Sequence, residues 1–161
     1  MVRTPKGMKA LQRWVGSWDS WYTVTFADGT VRAGTMTVIA EPIAKGQGVW
    51  MGAKGSVAGM DPWEADALWG YDTETGQVHW FAVSSMGEVH DHGGAWRDAN
   101  TLDLAWQGIE EGKEALERTS FMWRSSAEVG MKTVFTVGGA LGHTIEGTWR
   151  KVRKRARSRR K

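Results

Sequence analysis

Ten short segments with the character of β-strands follow one another along this chain, and the links between them are short. They begin after Gly16-Ser17-Trp18, and many of them alternate apolar with polar residues between turn-forming glycines. The predicted strands are 17–26, 31–40, 47–54, 63–71, 77–84, 88–96, 101–107, 113–124, 129–137 and 143–152. No strand–helix–strand alternation is present, so successive strands should pair as hairpins. The sequence therefore predicts an all-β fold, an antiparallel up-and-down β-barrel of about ten strands that encloses a cavity.

The segment before the first strand is predicted to form a short N-terminal helix. Met8, Leu11 and Val15 recur at helical spacing, Pro5 suits a first turn, and Gly16 ends the pattern. We expect this helix to cover one open end of the barrel.

The charge of the chain is divided unevenly between a body and a tail. Residues 151–161 read KVRKRARSRRK, so the net charge of +3 conceals an acidic body. We predict a single barrel domain over 1–150 and a basic C-terminal tail over 151–161. A dense block of like charge is typically solvated, and it is the one part of the chain predicted to contact nucleic acid.

The composition excludes several classes of protein. The chain has no cysteine, which rules out disulfides and thiolate chemistry. No run of about 18 apolar residues is present, so no membrane-spanning helix is predicted. The first residues lead into no apolar signal-peptide core, and we expect a cytoplasmic location.

Several short motifs occur in a recognisable order. They are Gly16-Ser17-Trp18, Trp69-Gly70-Tyr71-Asp72 with Gly76, Ser84-x-Met86-Gly87, Gly94-x-Trp96 and Gly147-Thr148-Trp149-Arg150-Lys151. On these motifs the chain, over about residues 8–152, resembles the bacterial lipocalin-like proteins of unknown function in the calycin superfamily. The resemblance implies a barrel with a ligand cavity and implies no catalytic residues. It also implies that Trp18 packs against Arg150 to seal the barrel floor.

One cluster of side chains stands out as a candidate binding site. Three of the four histidines lie close together in the sequence, and His90-x-His92 places two imidazoles on one face of a strand. A two-residue turn at 85–86 and a five-residue turn at 72–76 would place His79 opposite both Trp69 and His92. One face of the sheet would then form the wall of a binding site. The predicted ligand-binding residues are Trp69, Tyr71, His79, Phe81, His90 and His92.

The direction in which this face points depends on turn length. One extra residue in the turn near Met86 would move His79 to the face opposite His90 and His92. With a two-residue turn at 98–99, the histidine face would continue into the polar face of the next strand and meet solvent. Three interpretations therefore remain open: solvent-exposed histidines, a polar cavity wall, or a metal site. Segment 113–124 carries the charged residues Glu114, Glu117 and Arg118, and most of these are expected to face outward.

Two functions fit the sequence. The 11 tryptophans and the lack of a catalytic motif favour a protein that binds a small hydrophobic or aromatic ligand in the barrel cavity. The alternative is a cofactor-free isomerase, cyclase or lyase that uses cavity histidines with Tyr or Asp as acid and base. We predict no cofactor and no bound metal in either case.

Overall fold

Ten antiparallel strands close into one barrel in the protein. The structure is a computed structural model that describes residues 6–152. A short helix, α1 (Lys6–Leu11), continues into a single 3₁₀ turn at Gln12–Trp14 and precedes the strands. The strands are β1 (Gly16–Phe26), β2 (Val31–Ile43), β3 (Gly48–Val57), β4 (Trp63–Tyr71), β5 (Val78–Ser84), β6 (Val89–Trp96), β7 (Thr101–Glu110), β8 (Lys113–Ser125), β9 (Glu128–Val137) and β10 (Ala140–Lys151).

Each strand pairs with its neighbours in the sequence, and β1 pairs with β10 to close the ring. This arrangement confirms the predicted up-and-down barrel of ten strands with a short N-terminal helix. No helix in the described part of the chain is long and apolar enough to cross a membrane.

The last hairpin differs from the predicted one. A five-residue link over 138–142 was expected, but β10 already begins at Ala140, which pairs with Val137. Gly138 and Gly139 both have positive φ angles, of 58° and 79°. Two such residues form the tight turn that suits the twist of a β-hairpin. The register of β9 and β10 then shifts by one residue between Leu141 and His143, so that His143 pairs with Phe135.

A cluster of aromatic rings fills the end of the barrel that α1 covers. Trp14, at the end of the 3₁₀ turn, lies at its centre, and its ring centroid is 4.8–5.7 Å from those of five other rings. These rings belong to Trp18, Trp69, Phe121, Trp123 and Trp149. The indole nitrogen of Trp18 donates a hydrogen bond to the Trp14 carbonyl at 2.6 Å. The helix end of the barrel is therefore closed by packed side chains.

The cation beside Trp18 is Lys151, and the expected contact with Arg150 was wrong. Lys151 Nζ lies 4.9 Å from the centroid of the Trp18 ring and donates a hydrogen bond to the Arg13 carbonyl. Trp18 is paired with Lys151 in the register of β1 and β10, whereas Arg150 points outward and contacts Glu128. Since side chains alternate between the two faces of a strand, an error of one residue exchanged the inner and outer side chains.

The predicted basic tail falls mostly outside the described residues. Lys151 is the last residue of β10, and residues 153–161, with their expected contact with nucleic acid, lie outside the described part of the chain. The predicted start of the helix at Pro5 is also outside the described part.

We expect Trp18→Ala to lower the free energy of unfolding by about 3–5 kcal/mol, because it removes a large, fully buried aromatic side chain. Trp21→Ala is the matched control, since Trp21 lies on the same strand, points outward and is 52% exposed. Urea unfolding of both variants measures the difference. Equal losses in the two variants would contradict the assignment of the inner face of β1.

Candidate functional site

The end of the barrel opposite α1 is open to solvent. Trp80, His90, Trp106, Glu117 and His143 belong to the inward-facing set of their strands, yet each keeps partial exposure. Inside a closed barrel, solvent reaches an inward side chain chiefly through an open end. The lumen is therefore closed by packed rings at Trp14, and its inner wall reaches solvent at the opposite end, which we call the mouth.

A stack of three aromatic rings forms one wall of this lumen. Trp69, Trp80 and His92 stand directly opposite one another on β4, β5 and β6. The Trp69 and Trp80 rings lie 5.0 Å apart and nearly parallel, and the His92 ring stacks on Trp80 at 4.5 Å. His92 is buried at the end of this stack, with Trp80 on one face and the His90 ring edge-on at 5.6 Å, so its imidazole has little rotational freedom.

The second histidine is held in the same way by another indole. His90 stacks on Trp106 of β7, with ring centroids 3.7 Å apart and an angle of 16° between the planes. The Trp106 ring lies over Gly108, where any Cβ would collide with it. This glycine therefore lets the indole fold along its own strand, next to His90.

Glu117 completes the cluster, and the sequence analysis missed it. Its carboxylate lies inside the barrel, with Oε1 3.1 Å from His92 Nε2 and Oε2 3.6 Å from His90 Nδ1. Thr119 Oγ1 also lies 3.4 Å from Glu117 Oε1, and it shares a 2.9 Å hydrogen bond with Thr133. The prediction placed most charges of this strand outside. Counting back in steps of two from Trp123 and Phe121 would have placed Glu117 on the inner face.

The electrostatics of Glu117 depend on the two imidazoles. Burial raises the pKa of the Glu117 carboxyl, but the contacts with His90 and His92 outweigh this effect and lower it to about 2. No Lys or Arg of residues 6–152 forms an ion pair with this carboxylate. Burial also lowers the pKa of the nearby inward-facing His143.

The structure brings together only part of the predicted site. Trp69, His90 and His92 lie on the inner face, whereas His79 and Phe81 point outward. Tyr71 is inward-facing but sits at the closed end, where its ring packs against Gly7 of α1.

Turn length explains the error in the predicted register. The turn after β5 has three residues, and the Ser84 amide donates to the Glu88 carbonyl. Tyr71 is likewise opposite Val78, one position further along than expected. Trp80, which was not predicted, therefore occupies the place opposite Trp69 and His92, while His79 contacts Asp91 on the outer surface.

The hypothesis that the histidine face meets solvent is wrong for His90 and His92. The turn after β6 is longer than two residues, and Gly94 pairs with Leu104. The inner face of β6 therefore continues into Leu104 and Trp106, and into the apolar rather than the polar face of β7.

Several solved structures share the barrel fold of this chain at low sequence identity. No protein-family profile and no curated protein sequence matches it. Rv2717c from Mycobacterium tuberculosis has a similar structure, with a TM-score of 0.72 and 14% identity, covering 94% of this chain and 100% of the other. The S-type phycobiliprotein lyase CPES from Guillardia theta gives a TM-score of 0.65 and 12% identity over 91% of this chain and 93% of the lyase. A redesigned barrel, mFAP0, solved with bound DFHBI, gives 0.51 and 13% identity over 87% of this chain and 100% of the design. The likeness is one of fold, a closed antiparallel barrel of the lipocalin-like type.

We expect acid to destabilise the protein partly through Glu117. A carboxyl that takes up its proton near pH 4.5 when unfolded and near 2 when folded binds more protons in the unfolded state between these values. Stability should thus fall as the pH drops from about 4.5 towards 2, and Glu117→Gln should make this fall shallower. Urea unfolding across this pH range measures it, with Glu114→Gln, which is exposed on the same strand, as the control. An identical pH profile for wild type and Glu117→Gln would contradict the assignment.

Proposed function

We propose that the protein binds one small, mainly apolar aromatic molecule in the lumen of its barrel. The observation that carries this proposal is the partial exposure of an inward-facing indole, Trp80, within a rigid stack that lines an open-ended lumen. Flat aromatic walls with a few polar groups are typical of sites for small molecules.

Small side chains beside the stack support the proposal. Ala53, Ala65 and Ala82 face the lumen on β3, β4 and β5, and all three keep partial exposure. Ala82 lies two residues beyond Trp80 towards the mouth and opposite His90. Alanine fills less of the lumen than larger apolar residues would, so we infer that the ring of a ligand lies against Trp80 between the alanines and the histidines.

The polar groups of the lumen suggest what else the ligand carries. Glu117 is an acceptor of hydrogen bonds when ionised, and the Tyr22 hydroxyl lies 3.3 Å from the indole nitrogen of Trp63 on the opposite side. A ligand with an N–H or O–H donor at one end and an aromatic ring at the other matches this arrangement. The similar barrels include one solved with DFHBI and one named a phycobiliprotein lyase, which supports a small-molecule role for this fold.

We expect the neutral fluorescent probe N-phenyl-1-naphthylamine to bind with a stoichiometry of about one per chain and to quench tryptophan emission. Trp80→Ala should weaken binding about tenfold, since aromatic pairing and the lost contact area together are worth about 1.4 kcal/mol or more. Phe81→Ala is the matched control, because Phe81 is the next residue on β5 and points outward. Fluorescence titration measures both affinities.

A second pair of variants tests the histidines of the predicted site. His92→Ala should change probe affinity, whereas His79→Ala should bind like wild type, because only His92 belongs to the inner wall. If Phe81→Ala and His79→Ala impair binding and Trp80→Ala and His92→Ala do not, the probe binds the outer surface and the lumen is not the site.

The enzyme alternative has one specific observation in its favour, the contact between ionised Glu117 and two imidazoles. A carboxylate–imidazole pair can accept and return a proton, and Glu117 takes the role expected of a Tyr or Asp. The test is to identify by native mass spectrometry any molecule that copurifies with the protein, and to incubate fresh molecule with the enzyme. Conversion that Glu117→Gln abolishes would establish catalysis, whereas recovery of the unchanged molecule would leave binding as the function.

A further inference from the structure

We propose that His90, His92 and Glu117 form a binding site for one divalent transition-metal ion of the zinc type. The site shares Glu117 and the two histidines with the proposed ligand-binding lumen, but all three ligands come from the protein, so binding of the ion does not require the organic molecule. It rests on the geometry of three potential ligand atoms, on how those atoms are held, and on the charge around them.

The spacing of the ligand atoms fits a metal ion. One nitrogen from each histidine and one carboxylate oxygen all lie within 4.8 Å of one another. The shortest contacts go to different oxygens of the carboxylate: His92 Nε2 lies 3.1 Å from Glu117 Oε1, and His90 Nδ1 lies 3.6 Å from Glu117 Oε2. Metal–ligand bonds of about 2.0–2.1 Å in a tetrahedral site place the ligands about 3.3 Å apart, so the widest pair of ligand atoms would have to approach by up to roughly 1.5 Å.

The side chains are held where such a site requires them. His90 is stacked on Trp106 and His92 on Trp80, so neither imidazole rotates freely. The three residues come from β6 and β8 of a closed sheet, and Thr119 Oγ1 approaches the Glu117 carboxylate from β8 as well. A site on rigid strands with a supported carboxylate is prepared for metal before the ion arrives.

The charge at the site also favours a cation. Glu117 is largely buried, and no Lys or Arg among the described residues pairs with it. The two imidazoles are its only partners of potentially opposite charge among the described residues, and a divalent ion bound by all three groups would neutralise the carboxylate without requiring protonated histidines. Two imidazoles and one carboxylate match zinc, iron(II) or cobalt(II) better than magnesium or calcium, which prefer oxygen ligands.

The position in the lumen leaves part of the coordination shell free. Three protein ligands occupy one side of the proposed ion, and the partial exposure of His90 and Glu117 indicates that the other side faces the mouth. A metal with three protein ligands and an open position binds water or a small anionic or carbonyl-bearing molecule.

The experiment uses the full chain, stripped of metal with a chelator and then dialysed. Addition of Co²⁺ should give a visible absorption band with the intensity of a four- or five-coordinate ion, and it should saturate at one equivalent per chain. Competition between Zn²⁺ and a chromophoric chelator then measures the zinc affinity. Absence of saturable binding of both Co²⁺ and Zn²⁺ by the wild-type protein overturns the proposal without any variant.

Variants then assign the site. His92→Ala and Glu117→Gln should each weaken Zn²⁺ binding at least tenfold, whereas His79→Ala should leave it unchanged, because His79 and Asp91 form a separate pair on the outer surface. Near-ultraviolet circular dichroism checks that each variant is folded. Glu117→Gln preserves the shape of the side chain, so it is informative even if His92→Ala fails to fold. Tight binding that persists in Glu117→Gln, or that is lost in His79→Ala, overturns the assignment.

Discussion

The pairing of β1 with β10 is the contact on which the rest of the structure depends. It converts a series of hairpins into a ring without free edges, and it thereby defines an inside and an outside for every strand. Once the ring is closed, the alternation of side chains sorts each strand into lumen and surface. Trp18 and Trp149 are inside for this reason, while Trp21 and Arg150 are outside.

At the closed end of the barrel, the tryptophan side chains pack tightly but leave most of their indole nitrogens without a hydrogen bond. Among the described residues, the indole nitrogens of Trp14, Trp69, Trp123 and Trp149 are buried and have no hydrogen-bond partner in the protein. Each buried donor that lacks a hydrogen bond costs about 1–3 kcal/mol of stability. A tryptophan that buries about 200 Å² of mostly apolar surface recovers more than this at about 25 cal/mol per Å². Packing therefore decides the arrangement at this end.

The number and order of the strands could be predicted from the sequence because both depend on local signals. The Asp28-Gly29 turn and the glycines at the other turns are recognisable without knowing the fold. Register could not be predicted, since it depends on whether a turn such as the one after Ser84 holds two residues or three. That single residue exchanged His79 for Trp80 on the inner wall.

The inward position of Glu117 is a second feature that the sequence analysis did not predict. A glutamate among charged neighbours on a strand is usually a surface residue, and composition alone supports that expectation. Glu117 faces inward because it lies an even number of positions from the inward-facing Phe121 and Trp123 on the same strand. Its charge is tolerated because β6 supplies two imidazoles. The first fact is readable from the strand itself, but the second requires strands that are 25 residues apart to meet at His92 and Glu117.

The closed floor beneath Trp14 has a kinetic consequence. A lumen with one mouth gives any occupant the same route for entry and exit, so a second molecule cannot enter from behind and displace the first. Exchange of one occupant for another must then begin with dissociation. Its rate is set by the dissociation rate constant of the resident molecule, and raising the concentration of the competitor does not accelerate it.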